Sequence, residues 1–315
     1  MTDKTATNQP LTFKGDIAVS GAAGKFGHLL VRHLHRTNKV ISIDTRPFPR
    51  RPKDVYHLQT ELRRRNCRNL FRSRTIKTVI HLGPHHTTGK PGSSGFTAAI
   101  ENFNRLLNYC ETYKIKKLVL LSSFDVYGAR PENSQFLTEE APLLARELSA
   151  LRDVDMMAQS FFWKQPKIET VILRPTNITG GVSSALTKYL RMNLVPNLIG
   201  YDPMVQIIHE EDVIQAIKLA LKPNCRGIFN IAGPPPLPIS RLIRHLGRDT
   251  IPIPHPLAPL VLSQLKKLGI TSAHPAHIDY IRYICMIDDT HAHTTLGYSP
   301  SKSLKDSIAA VDVWS

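Results

Sequence analysis

A glycine-rich turn near the start of the chain constrains the fold more than any other feature of the sequence. Residues 16–20 form a short apolar run, and Gly21, Gly24 and Gly27 follow it before a helix-like segment that begins at Lys25. Glycines let the backbone approach a phosphate, and the dipole of the following helix favours negative charge at its N-terminus. The turn therefore predicts binding of a phosphate-bearing ligand. A tight turn without a ligand is the alternative.

The chain around this turn alternates strand-like and helix-like segments. We predict strands at residues 16–20, 39–44, 54–58, 78–82, 117–121, 169–173, 205–209 and 228–231, and helices at residues 25–37, 96–113, 142–163 and 210–221. The strands are apolar on both faces, which indicates a parallel sheet covered by helices on both sides. The predicted fold class is thus α/β, with a doubly wound parallel sheet.

An acidic residue at the end of the second predicted strand narrows the class of ligand. Asp44 follows Gly27 by 17 residues, and a carboxylate there can accept hydrogen bonds from both hydroxyls of an adenosine ribose. The pattern therefore predicts a dinucleotide. A carboxylate repels a 2′-phosphate and so favours NAD. NADP is the alternative, because Arg46, Arg50 and Arg51 lie nearby and could pair with that phosphate.

The strand and helix pattern loosens after Arg174, where prolines become frequent. We assign residues 14–174 to a dinucleotide-binding Rossmann domain, to which residues 205–232 return. Residues 175–204 and 233–300 form a smaller substrate lobe, and residues 301–315 form a C-terminal helix.

The positive charge of the chain is concentrated in one segment. The chain has 41 Lys and Arg against 25 Asp and Glu, a net charge of +16. Residues 46–77, from Arg46 to Lys77, hold 11 of the basic residues and two acidic ones. Arg64, Arg68 and Arg72 share one helical face, which fits a solvated surface, an anionic membrane surface or an acidic protein partner. Nucleic-acid-binding motifs do not accompany it, so we expect no specific nucleic-acid partner.

Other features exclude several classes of protein. No apolar run in the sequence approaches the length of a membrane span, about 18 residues. Residues 1–16 lack the apolar core of a signal peptide. The four cysteines are far apart, so we expect reduced thiols, a cytoplasmic protein and no metal site. The apolar segment 259–270 is interpreted as core of the smaller lobe or, alternatively, as a peripheral contact with a membrane surface.

Several segments, in this order, resemble the extended short-chain dehydrogenase/reductase family, the NAD-dependent epimerase/dehydratase group. They are the glycine turn with Asp44, residues 81–83 (His-Leu-Gly), 121–128 (Leu-Ser-Ser-Phe-Asp-Val-Tyr-Gly) and 173–180 (Leu-Arg-Pro-Thr-Asn-Ile-Thr-Gly). The resemblance implies a Rossmann domain with a small C-terminal substrate lobe, and a homodimer. It implies cofactor contacts from Gly21, Ala23, Gly24, Lys25, Phe26, Gly27, Asp44, Arg46, Leu82, Gly83, Asp155 and Pro175. It also implies Ser123 as the catalytic serine, with Ser123 and Asn177 contacting the substrate.

The sequence departs from this family at the residues that transfer the proton. The family uses a Tyr-x-x-x-Lys pair on the helix after the fifth strand, where the tyrosine moves a proton and the lysine lowers its pKa. Leu151 and Asp155 occupy these positions here. Because leucine cannot carry a proton, Tyr127, or one of His85 and His86, becomes the candidate substitute. Asp155 is expected to accept hydrogen bonds from the cofactor ribose.

These observations leave two functions open. The first is an NAD-binding epimerase, dehydratase or reductase that acts on a carbonyl, hydroxyl or nucleotide-sugar-like substrate through a non-standard proton relay. The second is a catalytically silent NAD(P)-binding sensor or scaffold with a basic surface for a partner. The retained substrate-lobe segments favour the enzyme, and the lost tyrosine and lysine favour the silent protein.

Overall fold

The computed structural model describes residues 15–83, 93–145, 150–182, 184–257, 260, 263–264 and 279–313. Its strands are β1 (Asp16–Ser20), β2 (Val40–Asp44), β3 (Tyr56–Gln59), β4 (Ile76–Leu82), β5 (Lys117–Leu121), β6 (Glu169–Pro175), β7 (Asn177–Thr179), β8 (Leu194–Leu198), β9 (Met204–Val205), β10 (Ile207–His209), β11 (Gly227–Ile231), β12 (Leu237–Pro238) and β13 (Asp249–Ile253). Its helices are α1 (Lys25–Leu34), α2 (Arg65–Ser73), α3 (Ser94–Thr112), α4 (Leu151–Lys164), α5 (Ala185–Leu190), α6 (Glu210–Ala220), α7 (Ile239–His245) and α8 (Leu304–Ala309).

Seven strands form one parallel sheet in the order β11-β6-β5-β4-β1-β2-β3. Alternate side chains of the inner strands enter two separate cores. On one face Ile17 and Val19 pack with α1 and α6, and on the other face Ala18 packs with α2, α3 and α4. The predicted doubly wound parallel sheet is confirmed.

The strand order places a crevice at the glycine turn. Because β1 lies between β4 and β2, the connections that follow β1 and β4 run to opposite faces of the sheet. In open α/β sheets, ligands bind at such a switch point, beyond the carboxyl ends of the strands. The fold therefore brings the glycine turn and residues 82–83 to one place.

A smaller apolar cluster lies outside the sheet. It joins α5, α7 and α8 through side chains that include Leu190, Leu242 and Ile308. Beside it, β8 pairs with β13, and β9 pairs with β12. The chain returns to the main sheet through β11, while the domain boundaries themselves stay a prediction.

Two predicted elements differ from the structure for identifiable reasons. The helix predicted at 142–163 begins only at Leu151, because residues 144 and 145 bond through their amides to the carbonyls of Tyr127 and Val126. The strand predicted at 205–209 is divided into β9 and β10. The dividing residue, Gln206, exchanges two side-chain hydrogen bonds with the backbone of Ile287.

The segment 259–270 lies almost entirely outside the described residues. Within the part of the chain that the structure describes, none of the helices has the length and apolar character needed to cross a membrane.

Candidate functional site

The glycine turn packs so closely that two of its glycines cannot be replaced without strain. Gly21 has a φ of +80°, and a Cβ there would lie 3.0 Å from the carbonyl oxygen of Leu82. A Cβ on Gly27 would lie 2.5 Å from the carbonyl oxygen of Ala22. The N-cap residue of α1, Gly24, contributes no side-chain cap. The turn therefore presents the N-terminus of α1 as a backbone cradle for an anion.

Asp44 is fixed at the end of β2 beside this cradle. Its carboxylate accepts hydrogen bonds from the backbone N–H groups of Ala23 (2.9 Å) and Arg46 (3.0 Å), and the Arg46 guanidinium donates to both of its oxygens at 3.1 Å. Burial alone would raise the pKa of Asp44, but the hydrogen bonds from Arg46 and Ala23 outweigh it and lower that pKa. Asp44 is thus an ionised acceptor.

Ser123 forms a hydrogen-bonded pair with Asp125 just beyond the end of β5. The Ser123 hydroxyl donates to Oδ2 of Asp125 at 2.9 Å, and the Asp125 backbone N–H donates to Ser123 Oγ at 3.2 Å. The hydroxyl of Tyr280, from the C-terminal part of the chain, donates to the Asp125 carbonyl at 3.1 Å. Residues from the segment after β5 and from the C-terminal part of the chain therefore meet at this site.

The environment of Asp125 suits it to proton transfer. The protein atoms that crowd the carboxyl raise the pKa of Asp125 to about 6, although hydrogen bonds from Ser123 and Tyr280 oppose this rise. The residue nevertheless keeps access to solvent. The sequence patterns predict no role for Asp125, although its spacing of two residues from Ser123 is a signal that could have identified it.

Asp155 belongs to a buried ion pair. Asp155 and Arg174 are both fully buried, and the Arg174 guanidinium donates to the two Asp155 oxygens at 3.0 and 2.7 Å. Ser122 and Gln159 donate to the same carboxylate at 2.5 and 2.8 Å. The prediction that Asp155 contacts the cofactor ribose disagrees with this arrangement, because its oxygens are already bonded inside the protein.

Tyr127 lies in the same buried network and is poorly placed to replace the missing tyrosine. It is 1 % exposed, and its hydroxyl donates to Asn230 at 2.7 Å and accepts from Arg174 at 2.8 Å. Burial raises the pKa of Tyr127 to about 12. The structure therefore argues against Tyr127 as the proton carrier and assigns it to the support of Arg174.

Leu151 is the first residue of α4 and packs into an apolar cluster. The cluster includes Phe124, Tyr127 and Cys285, and it leaves Leu151 only 4 % exposed. The position that would hold a phenol is therefore filled by apolar packing. His85 and His86, the other candidate substitutes, lie outside the described residues.

The remaining predicted site residues are distributed around the crevice. Leu82 ends β4 against the glycine turn, with Gly83 next to it, and Pro175 ends β6. Lys25 lies close enough to Glu210 to lower its pKa, although burial raises that pKa overall. Phe26 and Asn177 make contacts inside the protein. Phe26 is buried in the sheet core, and the Asn177 side-chain amide donates a hydrogen bond to the Gln206 carbonyl at 3.1 Å.

Comparisons with known proteins agree with the fold. The model of the NAD dependent epimerase/dehydratase family matches residues 17–232. The uncharacterized protein Rv0501 of Mycobacterium tuberculosis is 26% identical, with 90% of this chain and 80% of that protein covered.

Two solved structures are similar to the chain over nearly their whole length. The dTDP-glucose 4,6-dehydratase of Bacillus anthracis, in complex with NAD, has a TM-score of 0.72 at 16% identity, with 94% of this chain and 95% of that one covered. The UDP-glucose 4-epimerase of Thermus thermophilus, also with NAD, has a TM-score of 0.71 at 18% identity, with 94% and 98% covered. At these identities the likeness establishes a shared fold.

Proposed function

Since the chain belongs to the NAD dependent epimerase/dehydratase family, we propose that it binds NAD and acts on a hydroxyl or carbonyl group of a nucleotide-sugar-like substrate. The observation that carries the proposal is the Ser123–Asp125 hydrogen bond at the same carboxyl edge of the parallel sheet as the glycine cradle and Asp44. Both dinucleotide-binding features are retained, and an acid–base pair lies beyond the end of β5.

The residues of the cradle fit a dinucleotide. A Cβ on Gly27 would collide with the backbone of Ala22, so this glycine lets α1 pack closely against the turn. The backbone N–H groups at the start of α1 are then the groups that a pyrophosphate would contact. Asp44 would accept hydrogen bonds from the adenosine ribose hydroxyls after the Arg46 guanidinium releases one of its own hydrogen bonds to the carboxylate. The Arg46 side chain is 55% exposed, so water compensates the guanidinium for most of the lost interaction. NADP stays the alternative, because the displaced guanidinium could pair with a 2′-phosphate.

The proposed substrate class rests on the neighbours and on two side chains. The similar structures include a dTDP-glucose dehydratase and a UDP-glucose epimerase. The family resemblance predicts substrate contacts from Ser123 and Asn177, and Asn177 is partly exposed on β7. A homodimer, and an anionic membrane or acidic protein partner for residues 46–77, stay predictions.

In the proposed proton relay, Ser123 and Asp125 replace the missing tyrosine. The Ser123 hydroxyl bonds the substrate oxygen and passes its own proton to Oδ2 of Asp125 as it takes the proton of a substrate hydroxyl. Reduction of a carbonyl runs the same transfer in reverse. Bound NAD supplies the hydride acceptor and donor. A carboxylate with a pKa of about 6 is a better proton acceptor near neutral pH than an ordinary aspartate.

The alternative is a catalytically silent NAD(P)-binding protein. It is favoured by the apolar packing of Leu151 and by the internal pairing of Asp155, which together remove the usual proton carrier. The two functions predict the same cofactor binding, so only turnover separates them.

The test measures both properties on the purified full chain. NAD binding is titrated first, and the protein is then incubated with NAD and a panel of UDP- and dTDP-hexoses, with products resolved by NMR. We expect conversion of at least one sugar nucleotide, reduced by about 10²-fold or more in Ser123→Ala and Asp125→Asn. Asp153→Asn, on the surface of α4, is the matched control and should keep full activity. NAD binding without any conversion would replace the proposal with the silent alternative.

A further inference from the structure

An arginine-lined cavity lies between the start of α2 and the outer side of α3. Its volume is about 190 Å³, and it is lined by Arg63, Arg64, Arg65, Arg68, Arg105 and Tyr109. We propose that this arginine cavity binds a small ligand with several phosphate charges, at a site separate from the dinucleotide. The side chains of α2 and α3 pack on one face of the sheet and those of α1 on the other, so the cavity and the glycine cradle belong to different helix layers.

The carboxylates around the cavity do not balance its charge. Arg63 bonds Glu61 at 2.6 Å and Glu101 at 2.9 Å, and Arg64 lies 3.7 Å from Glu61. The other three arginines of the cavity, Arg65, Arg68 and Arg105, have no ion pair with any residue that the structure describes. Three guanidinium groups therefore face the cavity without a carboxylate to neutralise them.

The start of α2 adds to this positive charge. Helices usually begin with a side-chain cap and carry acidic residues in the first turn, where the dipole is positive. The N-cap residue here is Arg64, which makes no capping hydrogen bond, and the first turn contains no acidic residue. The positive end of the α2 dipole and the nearby arginines thus repel each other in the free protein, and a bound anion would reduce this repulsion.

Contacts of Tyr109 join the two helices that form the cavity. The Tyr109 hydroxyl donates to the Leu62 carbonyl at 2.9 Å, and its ring lies 4.8 Å from that of Phe71 on α2. The Tyr109 hydrogen bond thus connects α3 to the segment before α2. Burial raises the pKa of Tyr109, while the charges of Arg105 and Arg68 both oppose this rise, so both guanidinium groups lie close to its hydroxyl. The two arginines are therefore held near one point although they come from different helices.

The concave shape selects among anionic ligands. Arginine forks match phosphate oxygens and bind them in pairs, and groups that converge from two helices suit a compact ligand. A membrane surface would instead contact the exposed arginines of α2 alike, Arg72 among them. Arg68 and Arg72 are both exposed on α2, but only Arg68 lines the cavity.

The test is calorimetric titration of the full chain, saturated with NAD, with inorganic tripolyphosphate. We expect binding that weakens about tenfold in Arg68→Ala and in Arg105→Ala, the loss of one charge-assisted contact. Arg72→Ala removes the same charge from the same helix face and should change the affinity less than twofold. Alanine favours the helix, and a thermal melt of each variant verifies folding.

Three results would overturn the proposal. The first is absence of tripolyphosphate binding. The second is equal weakening of that binding by Arg72→Ala and Arg68→Ala, which would mean attraction by general charge.

The third comes from vesicles of phosphatidylcholine with or without phosphatidylserine. If the chain binds the anionic vesicles through Arg68 and ignores tripolyphosphate, the phosphate source is a lipid headgroup on a surface. Turnover of sugar nucleotides should be unchanged in all three variants without added polyphosphate, so failure here leaves the proposed enzyme untouched.

Discussion

The buried pair of Asp155 and Arg174 leads to a quantitative prediction about stability. Asp155→Asn keeps the size of the side chain but leaves the Arg174 guanidinium, fully buried, without its carboxylate. Breaking a buried ion pair on one side costs about 3–5 kcal/mol. Given an unfolding entropy of about 2.1 cal/mol/K per residue, the 315-residue chain should lose about 5–8 °C of Tm.

The assay is a thermal melt of the wild type, Asp155→Asn and a control variant on the same helix. Asp153→Asn breaks the pair with Arg152, in which the two side chains are 34% and 35% exposed. Such surface pairs are worth about 0–1 kcal/mol, so the Tm of this control should fall by less than about 1.5 °C.

The affinity for NAD, measured well below the Tm, completes the test. If Asp155 only supports the fold, folded Asp155→Asn should bind NAD within about threefold of the wild type, less than the tenfold that a lost charged hydrogen bond costs. A nearly unchanged Tm together with about tenfold weaker NAD binding would refute the structural role and restore the predicted ribose contact.

Three further substitutions have defined outcomes. Gly27→Ala should destabilise the chain by about 1–3 kcal/mol and abolish NAD binding, because its Cβ would lie 2.5 Å from Ala22; Gly24→Ala, whose Cβ would lie 3.5 Å from the Arg46 guanidinium, should melt like the wild type. Arg46→Ala should weaken binding of NADP about tenfold more than that of NAD, measured by parallel titrations; equal losses would exclude a role in cofactor choice. Tyr127→Phe should cost about 1–3 kcal/mol by leaving buried polar groups unbonded yet preserve turnover. Lost turnover at full stability would make Tyr127 catalytic.

Short apolar runs in the sequence were sufficient to predict the central strands of the sheet. The strands β1 and β5 have their predicted bounds, because short apolar runs enter a sheet that is covered on both faces. The cradle was predictable for the same reason, since its glycines lie in one local strand–turn–helix unit and Asp44 ends the next strand along the chain.

Contacts between distant parts of the chain account for what local patterns missed. The apolar spacing before Leu151 predicted helix, but the backbone there bonds to residues 126 and 127 instead. The partner of Asp155, Arg174, comes from β6 and is set by the packing of α4 on that strand. Burial of the carboxyl raises the pKa of Asp125, and one of the hydrogen bonds that oppose this rise comes from Tyr280, which lies 155 residues away in the chain.

The pH dependence of the first turnover tests the proposed relay most directly. The reduction of bound NAD by a converted sugar nucleotide is followed by nicotinamide absorbance after rapid mixing. Since the Asp125 carboxylate must be ionised to accept the proton, the wild-type rate should rise with pH through about 6 and then level off. Asp125→Asn should be slow and lack this rise. If Asp125→Asn keeps both the rate and the pH profile of the wild type, the relay through Ser123 and Asp125 is wrong.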